Sequence, residues 1–170
     1  VARIADMLLN PGGTVPFNGK TLTYPDIKLV YWAGGNPYHH HQDLNRLRKA
    51  WSKPETIIVN DPVWTATARH ADIVFPSTIA LEREDFAWGR QELFAAPMHQ
   101  ALAPFEDSKD DFAIFTGLAE KLGVKSQFTE NRTPREWITA MWEETLERAA
   151  KTNVVLPDFE SFWKGGVFGV

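Results

Sequence analysis

Ile27-Lys28-Leu29-Val30-Tyr31-Trp32-Ala33, then Thr56-Ile57-Ile58-Val59, then Asp72-Ile73-Val74-Phe75: these three short runs decide the reading of the fold. Each is dense in β-branched and aromatic residues, and none alternates cleanly between apolar and polar. That is the pattern of strands buried on both faces of a parallel sheet. Between the first two lies Gln42 to Trp51, with Leu44, Leu47, Ala50 and Trp51 on one helical face and Arg46, Arg48 and Lys49 outside it. This segment predicts the crossover helix of a βαβ unit. A shorter helix around Thr65 to Ala71 is expected to join the second and third strands.

Upstream, Val1 to Leu9 places Ile4 and Leu8 on one helical face, and Asn10-Pro11-Gly12-Gly13 stops it. The turn formers that follow, with Asn18-Gly19 the sharpest, predict a loop or short hairpin up to Pro25. Downstream, Asp110 to Leu122 reads as a helix burying Phe112, Phe115, Leu118, Ala119 and Leu122, closed by Gly123. Thr133-Pro134-Arg135-Glu136 is a capping box with Pro at the first helical position. It opens a helix through Ala150 whose expected buried stripe is Trp137, Ile138, Met141, Trp142, Leu146 and Ala149. Strands alternating with helices predict a single α/β domain over residues 1–170, a Rossmann-like three-layer sandwich with a mainly parallel sheet. The stretch from Gln91 to Met98 carries no signal that places it.

Composition narrows the function classes. The 170 residues are 44% hydrophobic, ordinary for a globular chain. A net charge of -4 leaves no basic footprint for nucleic acid or an anionic membrane. No apolar stretch approaches the roughly 20 residues that span a bilayer. With no cysteine, a disulfide framework, a thiolate nucleophile and a Cys-based zinc site are excluded. The chain starts at Val1 with no basic n-region or apolar h-region, which reads as a piece of a longer polypeptide.

In an open parallel sheet, ligands bind beyond the carboxyl ends of the strands, so the residues following each run are the informative ones. After the first comes Gly34-Gly35-Asn36-Pro37-Tyr38-His39-His40-His41. Its glycines let backbone amides approach a ligand, and Asn36 offers a donor and an acceptor; a tight strand-to-helix turn explains the same residues. The spacing matches neither the dinucleotide fingerprint nor the P-loop, which disfavours nicotinamide binding. Three consecutive imidazoles diverge in direction and do not converge on one metal ion; one of them donating to an anion at the helix start fits better.

Asn60-Asp61-Pro62 follows the second run. Asp61 could accept from a ribose diol or a guanine edge, or could simply make an Asx-turn. After the third, Arg83 in Leu81-Glu82-Arg83-Glu84-Asp85 could hold a phosphate or a base, or pair with neighbouring acids. Ser77 with His70 and Asp72 lacks the G-x-S-x-G elbow of a hydrolase triad.

The run Tyr31 to Asp43, YWAGGNPYHHHQD, resembles the molybdopterin-guanine-dinucleotide enzymes of the dimethyl sulfoxide reductase family. Within it, the branch of biotin sulfoxide, trimethylamine N-oxide and dimethyl sulfoxide reductases is most similar. Trp64 to Pro76, Leu81-Glu82-Arg83 and Ala2 to Gly12 extend the likeness, which weakens after about Lys125.

The resemblance implies one α/β domain of a longer molybdenum S-oxide or N-oxide reductase, with the remaining domains as its partners. Its cofactor would be bis(molybdopterin guanine dinucleotide) molybdenum, of which this domain holds one pterin guanine dinucleotide. Carried over position by position, the implied contacts are Asn36, His40, Asn60, Asp61, Arg83 and Asp111. Asp111 would otherwise read only as a helix cap.

The resemblance implies no metal ligand and no catalytic proton transfer here, since the serine that ligates molybdenum in that branch matches nothing in this sequence. The implied chemistry is oxygen-atom transfer at the metal, the oxygen leaving as water after two electrons and two protons. Biotin or methionine sulfoxide would place the enzyme in the cytoplasm, the reading favoured here. Trimethylamine N-oxide or dimethyl sulfoxide would place it in the periplasm. The competing expectation is a self-standing α/β nucleotide-binding or regulatory module.

Overall fold

The three apolar runs pair as a parallel sheet in the computed structural model, which describes residues 3–89 and 92–169. They become β3 (Leu29–Ala33), β4 (Thr56–Asp61) and β5 (Ile73–Pro76), in the spatial order β3-β4-β5. The register sets Val30 beside Ile57, Trp32 beside Val59 and Ala33 beside Asn60, and Val59 beside Val74. Ahead of them stand α1 (Ile4–Leu9) and a hairpin of β1 (Thr14–Phe17) and β2 (Lys20–Thr23), turned at Asn18-Gly19, both with positive φ. The crossovers carry α2 (Pro37–His40) and α3 (Leu44–Trp51) between β3 and β4, and a single 3-10 turn at Ala68–His70 between β4 and β5.

By its own contacts the chain divides into two compact units, Val1–Ser77 and Thr78–Val170. In the first, α3 begins where the Asp43 carboxylate accepts from the Arg46 amide at 3.0 Å. It buries Leu47, Ala50 and Trp51, while Arg48 and Lys49 face solvent. Those side chains join Ala5 and Leu8 of α1, Tyr38 of α2, Ala68, and Ile57 and Val59 of β4 in one cluster. Each large apolar side chain buried there contributes about 1.5–3 kcal/mol relative to exposure. Arg46 reaches across to pair with Asp6 of α1.

The expectation of strands buried on both faces is met only partly, and only in the centre strand, where Ile57 and Val59 are buried on one face and Asn60 alone on the other. β3 and β5 carry no buried residue, and Leu29 and Ile73 are exposed. The cause is geometric. Side chains alternate across a strand, so Val30, Trp32, Ile57, Val59 and Val74 share one face, the one the helices cover.

The second unit contains β6 (Asp85–Ala87), β7 (Phe94–Met98), α4 (Asp111–Lys121), α5 (Lys125–Thr129), α6 (Pro134–Ala150), α7 (Phe159–Gly165) and β8 (Phe168–Gly169). Its strands form an antiparallel sheet, β6-β7-β8, that the sequence reading did not place. Gln91, the first residue of the unplaced stretch, lies outside the described residues; Phe94 to Met98 is β7. The core is aromatic: Trp142 stacks on Phe162 at 3.7 Å and 6°, and Phe86 meets both edge-on.

The capping box forms as expected, Thr133 accepting from the Glu136 amide while Glu136 accepts from the Thr133 amide at 2.7 Å. Three positions differ from the expected stripes. Leu122 and Met141 are exposed, while Ile114, which the stripe omitted, is buried. Leu122 is the C-cap, past which α4 adds no further turn to continue the apolar face.

Candidate functional site

The first unit brings two of the expected loops to one edge. Ala33 and Asn60 are register partners, so Gly34-Gly35-Asn36 and Asn60-Asp61 leave adjacent parallel strands side by side at their carboxyl ends. Gly34 and Gly35 have φ of +78° and +77°, and a Cβ added at Gly34 would meet nothing within 4 Å. The backbone there is exposed and open to a ligand.

Asn36 is the N-cap residue of α2, yet its side chain does not cap it. Instead Asn36 Oδ1 accepts from the hydroxyl of Thr67, a residue with no exposed surface. The same hydroxyl accepts from the Tyr38 amide at 3.3 Å. Thr67 therefore ties the β4–β5 crossover to the β3–α3 crossover. Sequence reasoning passed over it, because a contact between residues 31 apart leaves no local signal.

Asn60 is 5% exposed and its Oδ1 accepts from the Tyr31 hydroxyl at 2.9 Å. Asp61 forms the Asx-turn weighed above: one carboxylate oxygen accepts from the Val63 amide at 3.3 Å and the other from the Thr65 hydroxyl at 2.6 Å. A carboxylate offers about four lone-pair positions, so these bonds orient Asp61 and leave it acceptor capacity.

The histidines separate as divergent neighbours should. His39 and His40 are exposed and meet edge-on at 5.1 Å, while His41 is buried. His41 Nδ1 accepts from the Asp43 amide at 3.3 Å, and its Nε2 is buried with no hydrogen-bond partner. Next to them Tyr38 stacks on His70 at 4.0 Å, and burial pushes its phenol above the ordinary value against the opposing charge of Arg48.

No triad forms: Asp72 accepts from the Ile57 amide at 2.8 Å, and His70 Nδ1 lies 2.7 Å from the Ala66 carbonyl. Among the described residues no three His, Cys, Asp or Glu gather as a metal site, and no helix is long and apolar enough to cross a membrane.

Arg83 and Asp111 belong to the second unit. Arg83 pairs with Asp85, the ion-pair alternative weighed for it. Asp111 is the first residue of α4; the cap is its neighbour Asp110, which accepts from the Ala113 amide at 2.7 Å. This unit also holds an open groove of about 620 Å³ between α4, α5 and the start of α6, lined by Phe112, Thr116, Lys125 and Arg132 among others. None of the six expected contacts lines it.

In open α/β sheets, adjacent strand ends of this kind, with bare glycine backbone and polar side chains, are where ligands bind. Residues 7–121 match the family described as molybdopterin oxidoreductase, and the chain belongs to that family. Biotin sulfoxide reductase of Cereibacter sphaeroides is 52% identical over 98% of this chain and 22% of its own length. Dimethyl sulfoxide/trimethylamine N-oxide reductase of the same organism is 50% identical over 98% of this chain and 20% of its own. Trimethylamine-N-oxide reductase of Haemophilus influenzae is 47% identical over 96% and 20%. The chain thus spans about a fifth of the length of these relatives. Among solved structures, acetylene hydratase from Pelobacter acetylenicus superposes with a TM-score of 0.60 at 21% identity, covering 86% of this chain and 19% of that one. That likeness carries the fold alone. The family implies a molybdenum–pterin cofactor.

Proposed function

We propose that residues 1–170 are one cofactor-binding domain, a Rossmann-like three-layer sandwich in its complete form, within a molybdenum reductase of S-oxides or N-oxides. Its ligand is one of the two pterin guanine dinucleotides of a bis(molybdopterin guanine dinucleotide) molybdenum cofactor. The observation that supports this most directly is the paired strand-end edge of β3 and β4 lying inside the segment that matches the family.

The residues present fit such a group. Bare backbone at Gly34 and Gly35 suits close approach by a pyrophosphate or ribose. Asn36 and Asn60 offer amides, and His40 is an exposed donor at the same loop. Asp61, already oriented by its turn, can accept from a ribose diol or from the N1–H and exocyclic amine of guanine. The second unit carries the two remaining expected contacts, Arg83 through charge or stacking and Asp111 as the alternative to Asp61 for accepting from guanine. When bound, the molybdenum and its dithiolenes would supply the oxygen-atom transfer. The chain's own residues bind and orient the nucleotide; none of them transfers a proton to the substrate. Biotin or methionine sulfoxide is the favoured substrate, supported by the 52% identity to a biotin sulfoxide reductase, and a cytoplasmic parent enzyme would go with that substrate.

The test is an NMR shift titration of the isotopically labelled chain with GDP, using ADP and NADH as controls. GDP alone should shift the amides of Gly34 to His40 and Asn60 to Asp61. NADH or ADP shifting them while GDP does not would overturn the guanine dinucleotide reading.

A further inference from the structure

The segment from Asp61 to Thr67 is a short arm fixed at both ends to the strand-end edge. At one end Asp61 closes β4, its carboxylate accepting from the Val63 amide at 3.3 Å and from the Thr65 hydroxyl at 2.6 Å. At the other, the Thr67 hydroxyl donates to Asn36 Oδ1 and accepts from the Tyr38 amide, both in the neighbouring loop. The middle is held as well. The Thr65 amide donates to the Val63 carbonyl at 2.8 Å, and Arg69 Nε donates to the Trp64 carbonyl at 3.2 Å.

Trp64 is the midpoint of this arm, and 68% of its surface is exposed. Three residues on from Asp61 and three short of Thr67, its Cα lies within about 11 Å of each. A single exposed apolar side chain is ordinary on a protein surface. Trp64 differs in the fixed backbone beneath it and in its place between the two loops. Among the described residues of the first unit, the other exposed Phe, Tyr or Trp is Phe17, at the hairpin. The groups already placed at the edge suit a pyrophosphate, a ribose and the hydrogen-bonding rim of a base. A base also has a flat π-face, and aromatic side chains stack on it.

We propose that the Trp64 indole stacks on the base of the bound nucleotide, an assignment that rests on the nucleotide reading above and adds a contact beyond its six residues. Asp61, at the root of the same arm, is placed to accept from the rim of a base so held. Stacking is blind to which purine is present. Trp64 therefore contributes affinity, and the choice of guanine stays with the carboxylates.

NMR titration of the isotopically labelled 170-residue chain tests this, with GDP and inorganic pyrophosphate as probes. Trp64→Phe identifies the indole N–H signal of Trp64. In the unsubstituted chain GDP should shift that signal, and the indole protons should show nuclear Overhauser contacts to the guanine C8 proton. Trp64→Ala should weaken GDP binding by about five-fold or more, the worth of one stacked base, and leave pyrophosphate binding unchanged. Trp64→Tyr should restore most of that loss. If GDP shifts the amides of Gly34 to His40 and Asn60 to Asp61 but binds Trp64→Ala as tightly, the stack is overturned and the nucleotide reading stands. Equal weakening of GDP and pyrophosphate also overturns it, because Trp64 then acts through the shape of the loop. No shift with GDP in the unsubstituted chain overturns the nucleotide reading itself, and the stack with it.

Discussion

Replacing Thr67 by Val tests whether one buried hydroxyl holds the strand-end edge together. The two side chains are nearly isosteric, so packing is preserved and the change isolates two hydrogen bonds: to Asn36 Oδ1 and from the Tyr38 amide. A buried donor left unpaired costs about 1–3 kcal/mol, and Tyr38 is 5% exposed. Asn36 is half-buried and recovers part of its loss from water. The sum is about 2–3 kcal/mol, which for a unit of this size lowers its melting temperature by roughly 10–20 °C. Thr67→Ser keeps the hydroxyl and removes a methyl, costing about 1 kcal/mol. Urea unfolding followed by circular dichroism, with calorimetry for the melting temperature, compares the three proteins. GDP titration of Thr67→Val should in addition lose the shifts at Gly34 to His40. If Thr67→Val proves no more destabilising than Thr67→Ser, the hydroxyl bridge is not what fixes the loop, and the argument fails.

Further outcomes follow from other residues. Trp142→Ala removes a fully buried ring stacked on Phe162, together with its 3.0 Å bond to the Pro157 carbonyl, and should cost about 3–5 kcal/mol in urea unfolding. Gly34→Ala meets no steric neighbour, so its cost is the positive φ alone, about 1–2 kcal/mol; a melting temperature unchanged from wild type would show that the loop relaxes. The Glu136 carboxyl is held below its ordinary range first by the Thr133 amide and then by the Thr133 hydroxyl, and Asp158 by the Ser161 amide and then its hydroxyl. In such a pair of caps the unfolded chain takes up protons first as pH falls. Their stabilisation is therefore complete above the ordinary carboxylate range and disappears as pH drops through the depressed values. Thermal unfolding from pH 7 to pH 2 should show that loss, and Thr133→Ala should diminish it. Asp61→Ala combined with Asp111→Ala should abolish the preference for GDP over ADP; an intact preference in the titration would exclude both as the guanine acceptor.

What could be read from the sequence was local. The three strands, the Asn18-Gly19 hairpin, the Thr133 capping box and the stop at Gly123 each rest on residues within a few positions of one another, and each stands in the structure. The adjacency of the Gly34 and Asp61 loops was also legible, since parallel pairing places successive strand ends on one edge. The antiparallel strands of the second unit were not. β7 contains Pro97 and two alanines, and β8 is only Phe168–Gly169, so neither shows a period. Nor could Thr67 be found, or the choice of Asp110 over Asp111 as the cap, where two identical side chains stand in sequence and backbone geometry decides. The burial of β3 and β5 was over-read because an unbroken apolar run announces a strand with two covered faces, whereas the helices of this unit pack on one.

The Asx-turn at Asp61 has an optical consequence. It sends the chain out through Val63 and Trp64, whose indole is 68% exposed and stands three residues from the carboxylate. Trp51 and Trp142, by contrast, are sealed in the cores of the two units. Of the seven indoles, Trp64 should emit furthest to the red and quench most readily with iodide, Trp32, Trp88 and Trp137 being half-buried. A molecule settling on the strand-end edge would dim or shield that component while the buried indoles keep their colour, so the protein carries its own lamp beside the site and two unaffected reference lamps within.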